Sequence, residues 1–168
     1  MVMFKRLANN IKGKHLKIVF PEANDKRVLG AAVRLRVDDL VEPILLGNVE
    51  EVKALAAQNS WNIDAFTIID PETYAEYDAM VAAFVERRKG KATEEQAREL
   101  LKDVSYFGTM LVYMGLADGL VSGAVHSTGD TVRPALQIIK TKPGISRTSG
   151  AFIMVPAESD GQKLVFAD

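Results

Sequence analysis

The chain has 168 residues, a formal net charge of −1 and no cysteine. That length suits one ordinary domain, or one domain with part of another, and buries roughly 68–70% of the unfolded surface without a disulfide or metal staple. The missing basic surplus argues against non-specific nucleic-acid binding, and the missing cysteine excludes a disulfide framework, a thiolate zinc site and a cysteine nucleophile.

The opening stretch MVMFKRLANNIKGKHLKIVF carries basic residues but no continuous apolar segment of signal-peptide type. No apolar run anywhere approaches the ~20 residues of a membrane span, so the expectation is a soluble cytoplasmic protein. His15 falls in this basic stretch and is expected to face solvent. The first strand-like run is KIVF (17–20). NDKRVLGAAVRLRVDDL then places Val28, Ala32 and Leu35 on one helical face, with Asn24 or Asp25 as cap. PILLG (43–47) is the second strand, and NVEEVKALAAQ a helix capped by Asn48. FTIID (66–70) is the third strand. PETYAEYDAMVAAFVERRKG predicts one long helix with Pro71 in its first turn and a face of Tyr74, Tyr77, Met80 or Val81, and Phe84. TEEQARELLKD and VSYFGTMLVYMGL predict two more helices, the second apolar enough to be buried. GLVSG (119–123), GAFIMVP (150–156) and KLVFAD (163–168) complete the strands.

Strands that alternate with helices and read as continuous apolar runs specify an α/β fold with a parallel sheet covered on both faces. Ligands of such sheets bind beyond the carboxyl ends of the strands, which directs attention to PEAND, GNVEE, DPETY and SGAVHSTGD. The last strands, joined by AESDGQ, form a hairpin with nothing to pack beneath it. The expectation is that the 168 residues are the first part of a longer protein, or that another chain covers the hairpin.

The segment SGAVHSTGDTVRPALQ concentrates candidate chemistry. Its glycines allow a tight turn and close approach to a ligand. Ser127, Thr128 and Thr131 offer hydroxyl groups, Asp130 can cap the following helix, and Arg133 and Pro134 are expected in its first turn. A helix N-terminus with free N–H groups and an arginine fork suits phosphate oxygens. The residues leave two readings open: a phosphate or acyl-phosphate pocket, or a capped helix that satisfies only its own backbone. The spacing is neither that of a P-loop nor G-x-G-x-x-G. His126 can act as acid or base, although a loop histidine with one backbone hydrogen bond is the simpler expectation. In ERRKGK (86–91) the positive charge complements a helix end, or else one arginine reaches an anionic substrate, and spacing does not choose between Arg87 and Arg88. Glu22 and Asp25, like Asp70 and Glu72, follow strands, and capping is the expected role there. No His/Asp/Glu cluster has metal-ligand spacing, and no metal is expected.

KIVFPEANDKRVLGAA, PILLGN, AAFVERRKGKAT, DGLVSGAVHSTGDTVRPALQIIKTKPG and SGAFIM together resemble the bacterial phosphate acetyltransferase (phosphotransacetylase) family, and more loosely the phosphate butyryltransferases. The resemblance runs from Lys17 to Asp168 and is strongest from Asp118 to Gly144. It implies exchange of an acetyl group between acetyl-CoA and phosphate, by attack of the CoA thiolate on acetyl phosphate in a ternary complex. CoA is a substrate there, with no tightly bound cofactor, metal or acyl-enzyme. It also implies a three-layer fold similar to the isocitrate and isopropylmalate dehydrogenases, an interdomain cleft and usually a homodimer, without nucleic-acid or membrane partners. Arg133 matches a family arginine at the substrate site and is the catalytic candidate. Arg88 matches a second arginine, and Ser127, Thr128 and Thr131 match a hydroxyl loop that holds the phosphoryl group. Family members are about twice as long, and their serine–arginine pair and proposed thiol base lie in a second half. The implied organisation is a first α/β domain over 1–145 and the opening strands of a second over 146–168. A non-catalytic phosphate-binding module and an interaction fragment are the other readings; a dehydrogenase would rest on fold analogy alone.

Overall fold

The computed structural model describes residues 2–156 and 163–167. Strands β1 (Lys17–Phe20), β2 (Glu42–Leu46), β3 (Thr67–Ile69) and β4 (Gly119–Leu120) form one parallel sheet in the order β3-β2-β1-β4. Val19 pairs with Ile44 on one side and Leu120 on the other. Successive side chains of a strand point to opposite faces, and the core divides accordingly. Val19, Ile44 and Leu46 belong to one buried cluster, Phe20 and Leu45 to another.

Two helices cover the second face. In α2 (Lys26–Val37) Leu29 and Ala32 are buried, with Val28 and Leu35 packed beside them. Its N-cap is Asp25, the second of the two candidates. In α3 (Val49–Gln58), Val52 and Ala56 complete that cluster, and Asn48 caps as expected. The other face receives α4 (Tyr77–Arg88), α5 (Glu94–Leu100), α6 (Val104–Tyr113) and α7 (Thr128–Ile138). Thr93 and Gln96 close a reciprocal capping box on α5. Seven consecutive residues of α6, Ser105–Leu111, are buried, so the nearly all-apolar helix lies against the sheet as expected.

Three expectations change. The long helix after β3 is a short 3-10 turn, Pro71–Thr73, followed by α4. Asp70 caps the turn through Glu72 N–H, and Tyr74 is extended (φ −68°, ψ 122°), so the two pieces cannot fuse. Tyr74 instead meets Phe107 edge-on at 5.2 Å. The N-terminal stretch carries an additional helix, α1 (Val2–Ile11), where Phe4, Leu7, Ala8 and Ile11 have helical spacing. The fourth strand is only two residues long, because another residue claims the backbone beyond it.

His15 is exposed, with Nδ1 3.1 Å from Glu42 Oε1. Strands β5 (Ala151–Met154) and β6 (Leu164–Ala167) pair antiparallel as a separate hairpin, with Phe152 opposite Phe166. All eight of their residues are exposed. The AESDGQ connection spans 157–162, outside the described residues. Among the described residues, no helix is long and apolar enough to cross a membrane.

Gly108 sets how closely α6 approaches the sheet. A Cβ there would lie 2.7 Å from Leu120, 3.0 Å from Val19 and 3.2 Å from Leu46. Gly108→Val should therefore overpack three strands at once and cost about 1–3 kcal/mol, read as a lower urea midpoint with unchanged slope.

Candidate active site

The chain runs from β1 outward through β2 to β3, then returns to the opposite side of β1 as β4. The order reverses between β1 and β4, and the crevice at their carboxyl ends is where such sheets place ligands. The loop after β1 contains Glu22, and the loop after β4 runs from Val121 to Ser127.

Glu22 is 2% exposed and is neither a cap nor a free acid. Its Oε2 accepts from the N–H groups of Gly123 (3.1 Å) and Ala124 (2.9 Å). Its Oε1 accepts from the N–H groups of Val125 and His126, both at 2.9 Å, and lies 2.7 Å from His126 Nδ1. Burial alone would push this carboxyl up, but the backbone donors and the imidazole hold it at about 2 against an ordinary 4.5. His126 thus has a carboxylate partner, contrary to the expectation of a single backbone contact. Gly123 takes φ +108°, a conformation that favours glycine. Arg27, paired with Asp25, donates from Nη2 to Ala124 C=O at 3.1 Å and ties the same loop to the start of α2. A cavity of about 250 Å³ beside these residues has Phe20, Val28, Ala31 and Val121 in its walls.

Ser127 then caps α7. Its hydroxyl oxygen accepts from Asp130 N–H at 3.2 Å and donates to the Asp130 carboxylate at 2.7 Å. Ser127 is therefore the cap, and Asp130 sits inside the first turn. Thr128 is the first helical residue and is exposed; Thr131 donates its hydroxyl to Ser127 C=O at 3.1 Å. Because the helix begins at Thr128, Arg133 and Pro134 lie in its second turn rather than its first. Arg133 is exposed, and its Nη2 lies 3.8 Å from where a Cβ on Gly129 would stand. The guanidinium therefore folds back toward the helix N-terminus. Pro134 is buried within the helix and leaves the Asp130 carbonyl without its usual N–H donor.

The ERRKGK arginines divide their work. Arg87 donates from Nε to Ile138 C=O and from Nη2 to Ile139 C=O, with its guanidinium 5.0 Å from the Tyr113 ring centroid. It satisfies carbonyls at the C-terminal end of α7. Arg88 donates from Nη1 to Gln137 C=O at 3.3 Å, while its Nε is buried without a hydrogen-bond partner among the described residues. Tyr106 donates to Gln137 Oε1 at 3.2 Å. Burial raises the Tyr106 hydroxyl pKa, and the charges of Arg133 and Arg88 oppose that rise. Arg88, Tyr106, Gln137 and Arg133 thus gather along one side of α7. The roles of Glu22, Tyr106 and Gln137 were not legible from spacing; for Glu22 the available signal was its place at a strand's carboxyl end. Asp25 and Asp70 are caps as expected. Among the described residues, no group of three or more metal-ligating side chains is placed to hold an ion.

The sequence model of the phosphate acetyl/butaryl transferase family matches residues 2–168. The chain belongs to that family. A phosphate acetyltransferase of Staphylococcus epidermidis is 58% identical over 96% of this chain and 48% of its own length. One from Bacillus subtilis is 55% identical over 99% of this chain and 50% of its own. A phosphotransacetylase structure from Streptococcus pyogenes superposes with a TM-score of 0.93 at 58% identity, over 98% of this chain and 50% of that one. The corresponding values for one from Staphylococcus aureus are 0.88 and 54%, over 98% and 49%. The chain spans about half the length of the curated relatives it matches.

The depressed pKa of Glu22 fixes a pH window. Unfolded chains protonate this carboxyl near 4.5 while the folded chain keeps it charged down to about 2, so its stabilisation is full above 4.5 and is lost as pH falls through 2. Between about pH 5 and pH 3 the chain should lose about 2 kcal/mol on this account. The check is urea unfolding at both pH values, with the loss reduced by that amount in Glu22→Gln.

Proposed function

We propose that this chain carries the phosphoryl-holding side of a phosphate acetyltransferase site, for acetyl-CoA + phosphate = CoA + acetyl phosphate. The observation that carries this reading is Arg133, exposed and turned back toward a helix N-terminus without a carboxylate pair of its own among the described residues. Family membership supplies the reaction. Thr128 would offer its hydroxyl to the phosphoryl oxygens, Ser127 and Thr131 would do so on exchanging their present bonds to Asp130 and to Ser127 C=O, and Arg133 would neutralise the charge with a planar fork. Arg88, one helical turn further along α7 at Gln137, would add a second positive charge.

In the thioester-forming direction the CoA thiolate attacks the carbonyl carbon of acetyl phosphate. A C–S bond forms, the bond between the carbonyl carbon and the bridging oxygen breaks, and phosphate leaves with the electron pair. Arg133 and the α7 N-terminus would stabilise the charge that grows on the departing phosphate. Holding the acyl carbon within reach of the thiolate supplies the remaining advantage. A base for the thiol adds about 10²–10⁴-fold in such reactions. On this reading CoA is a substrate, no tightly bound cofactor or metal takes part, and the site works in a cytoplasmic homodimer. Residues 1–145 would form a first domain of the isocitrate/isopropylmalate dehydrogenase type, and 146–168 the first strands of a second.

Arg133→Ala should weaken inorganic phosphate binding by about 10–100-fold, the loss of one or two charge-assisted hydrogen bonds, with the circular dichroism spectrum unchanged. Arg88→Ala should weaken it less. Calorimetric titration with phosphate reads both, and acetyl-CoA formation from CoA and acetyl phosphate, followed by thioester absorbance, reads turnover. Equal phosphate affinity in wild type and Arg133→Ala would refute the assignment.

A further inference from the structure

We propose that Glu22 is the positioning residue of the site: it sets the path of the loop that delivers Ser127 to the head of α7, and it holds hydrogen on His126 Nδ1, so that the neutral ring is the Nδ1–H tautomer. The functional half of this inference rests on the phosphate reading above; the structural half does not.

The geometry is specific. Five donors converge on one carboxylate at 2.7–3.1 Å, four of them the consecutive backbone N–H groups of residues 123–126. A carboxylate pair of oxygens offers about four lone-pair positions, so every one is taken and the three donors on Oε1 share two. An ionised carboxylate can only accept, so the imidazole nitrogen 2.7 Å away must be the one that carries hydrogen. In the neutral ring that leaves Nε2 as the lone-pair nitrogen. The His126 side chain retains 25% of its exposure, whereas that of Glu22 retains 1%. Residue 126 also immediately precedes the Ser127 cap, so a shift of this loop would move the hydroxyls and helix terminus together.

Arg27 reaches only one carbonyl of the loop. Glutamine at position 22 would replace one oxygen by an NH₂ group, which would point donors at donors. Aspartate would keep the charge but fall short by one methylene, about 1.5 Å.

The test uses ¹⁵N-labelled 168-residue chain. Two-bond ¹H–¹⁵N imidazole spectra report the tautomer of His126, with His126→Gln identifying its signals against those of His15. Amide exchange is followed at residues 123–126, and inorganic phosphate is the titrant. Wild type should show Nδ1–H at His126 and protected loop amides. Glu22→Gln should lose both and bind phosphate at least about tenfold more weakly, the equivalent of one charge-assisted hydrogen bond. Glu22→Asp should recover part of each. A wild-type His126 in the Nε2–H form would overturn the proposal, and that measurement requires no variant to fold. So would wild-type phosphate affinity in a folded Glu22→Gln chain, because a purely structural carboxylate would lower stability without moving affinity. If the wild type binds no phosphate, the functional reading fails by itself. The tautomer and the amide protection then judge Glu22 alone, and unchanged protection in Glu22→Gln would reject it.

Discussion

The carboxyl end of the sheet depends on one buried charge. β4 contributes only Gly119 and Leu120 to the ladder. Beyond Val121, whose N–H still donates to Val19 C=O, the Glu22 carboxylate replaces a neighbouring strand as acceptor. Desolvating a carboxylate costs several kcal/mol, and hydrogen bonds to a charged acceptor return about 1.5–3 kcal/mol each. With five donors the hydrogen bonds win, which is why the group stays ionised despite burial. The same bonds explain why the strand ends early: the amides that would extend the ladder point at Glu22.

From that anchor the order propagates along α7. Ser127 and Asp130 close its first turn, and Arg87 and Arg88 reach across from α4 to carbonyls at its far end. Pinning both ends lets the helix keep a proline in its second turn, where a free helix would bend or break. Pro134 and Ile138 face the core, and Arg133 and Gln137, four apart, share another side. The charge that the site offers is thus mounted on a helix whose register is fixed from three directions: the loop after β1, α4 and the core.

The sheet was legible because its strands are buried on both faces and so appear as apolar runs between helical periods. Caps were legible where a side chain acts on its own neighbours, as at Asp25, Asn48 and Asp70. Three of the errors share one cause. The split after β3 depends on Tyr74 finding Phe107, more than thirty positions away. Glu22 looked like a cap because its real partners lie about a hundred residues further on. His126 looked unpartnered for the same reason. Local pattern reports what a residue does to its own turn, while a buried carboxylate that serves a distant loop leaves only its position at a strand end. The α1 helix is the reverse case: Phe4, Leu7, Ala8 and Ile11 carry the period, but Phe4 and Leu7 remain about half exposed, so the pattern exists without the burial that usually explains it.

The placement of Glu22 also bears on where an anion can go. Four consecutive backbone N–H groups around one point make an anion-binding concavity, and an empty one would compete for phosphate. Here the chain fills it with its own carboxylate. The next positive features along the chain are the α7 N-terminus, where the Ser127 hydroxyl takes the Asp130 N–H, and the exposed Arg133 guanidinium. A single acidic residue thus holds the loop's shape by occupying the concavity that its four amides form.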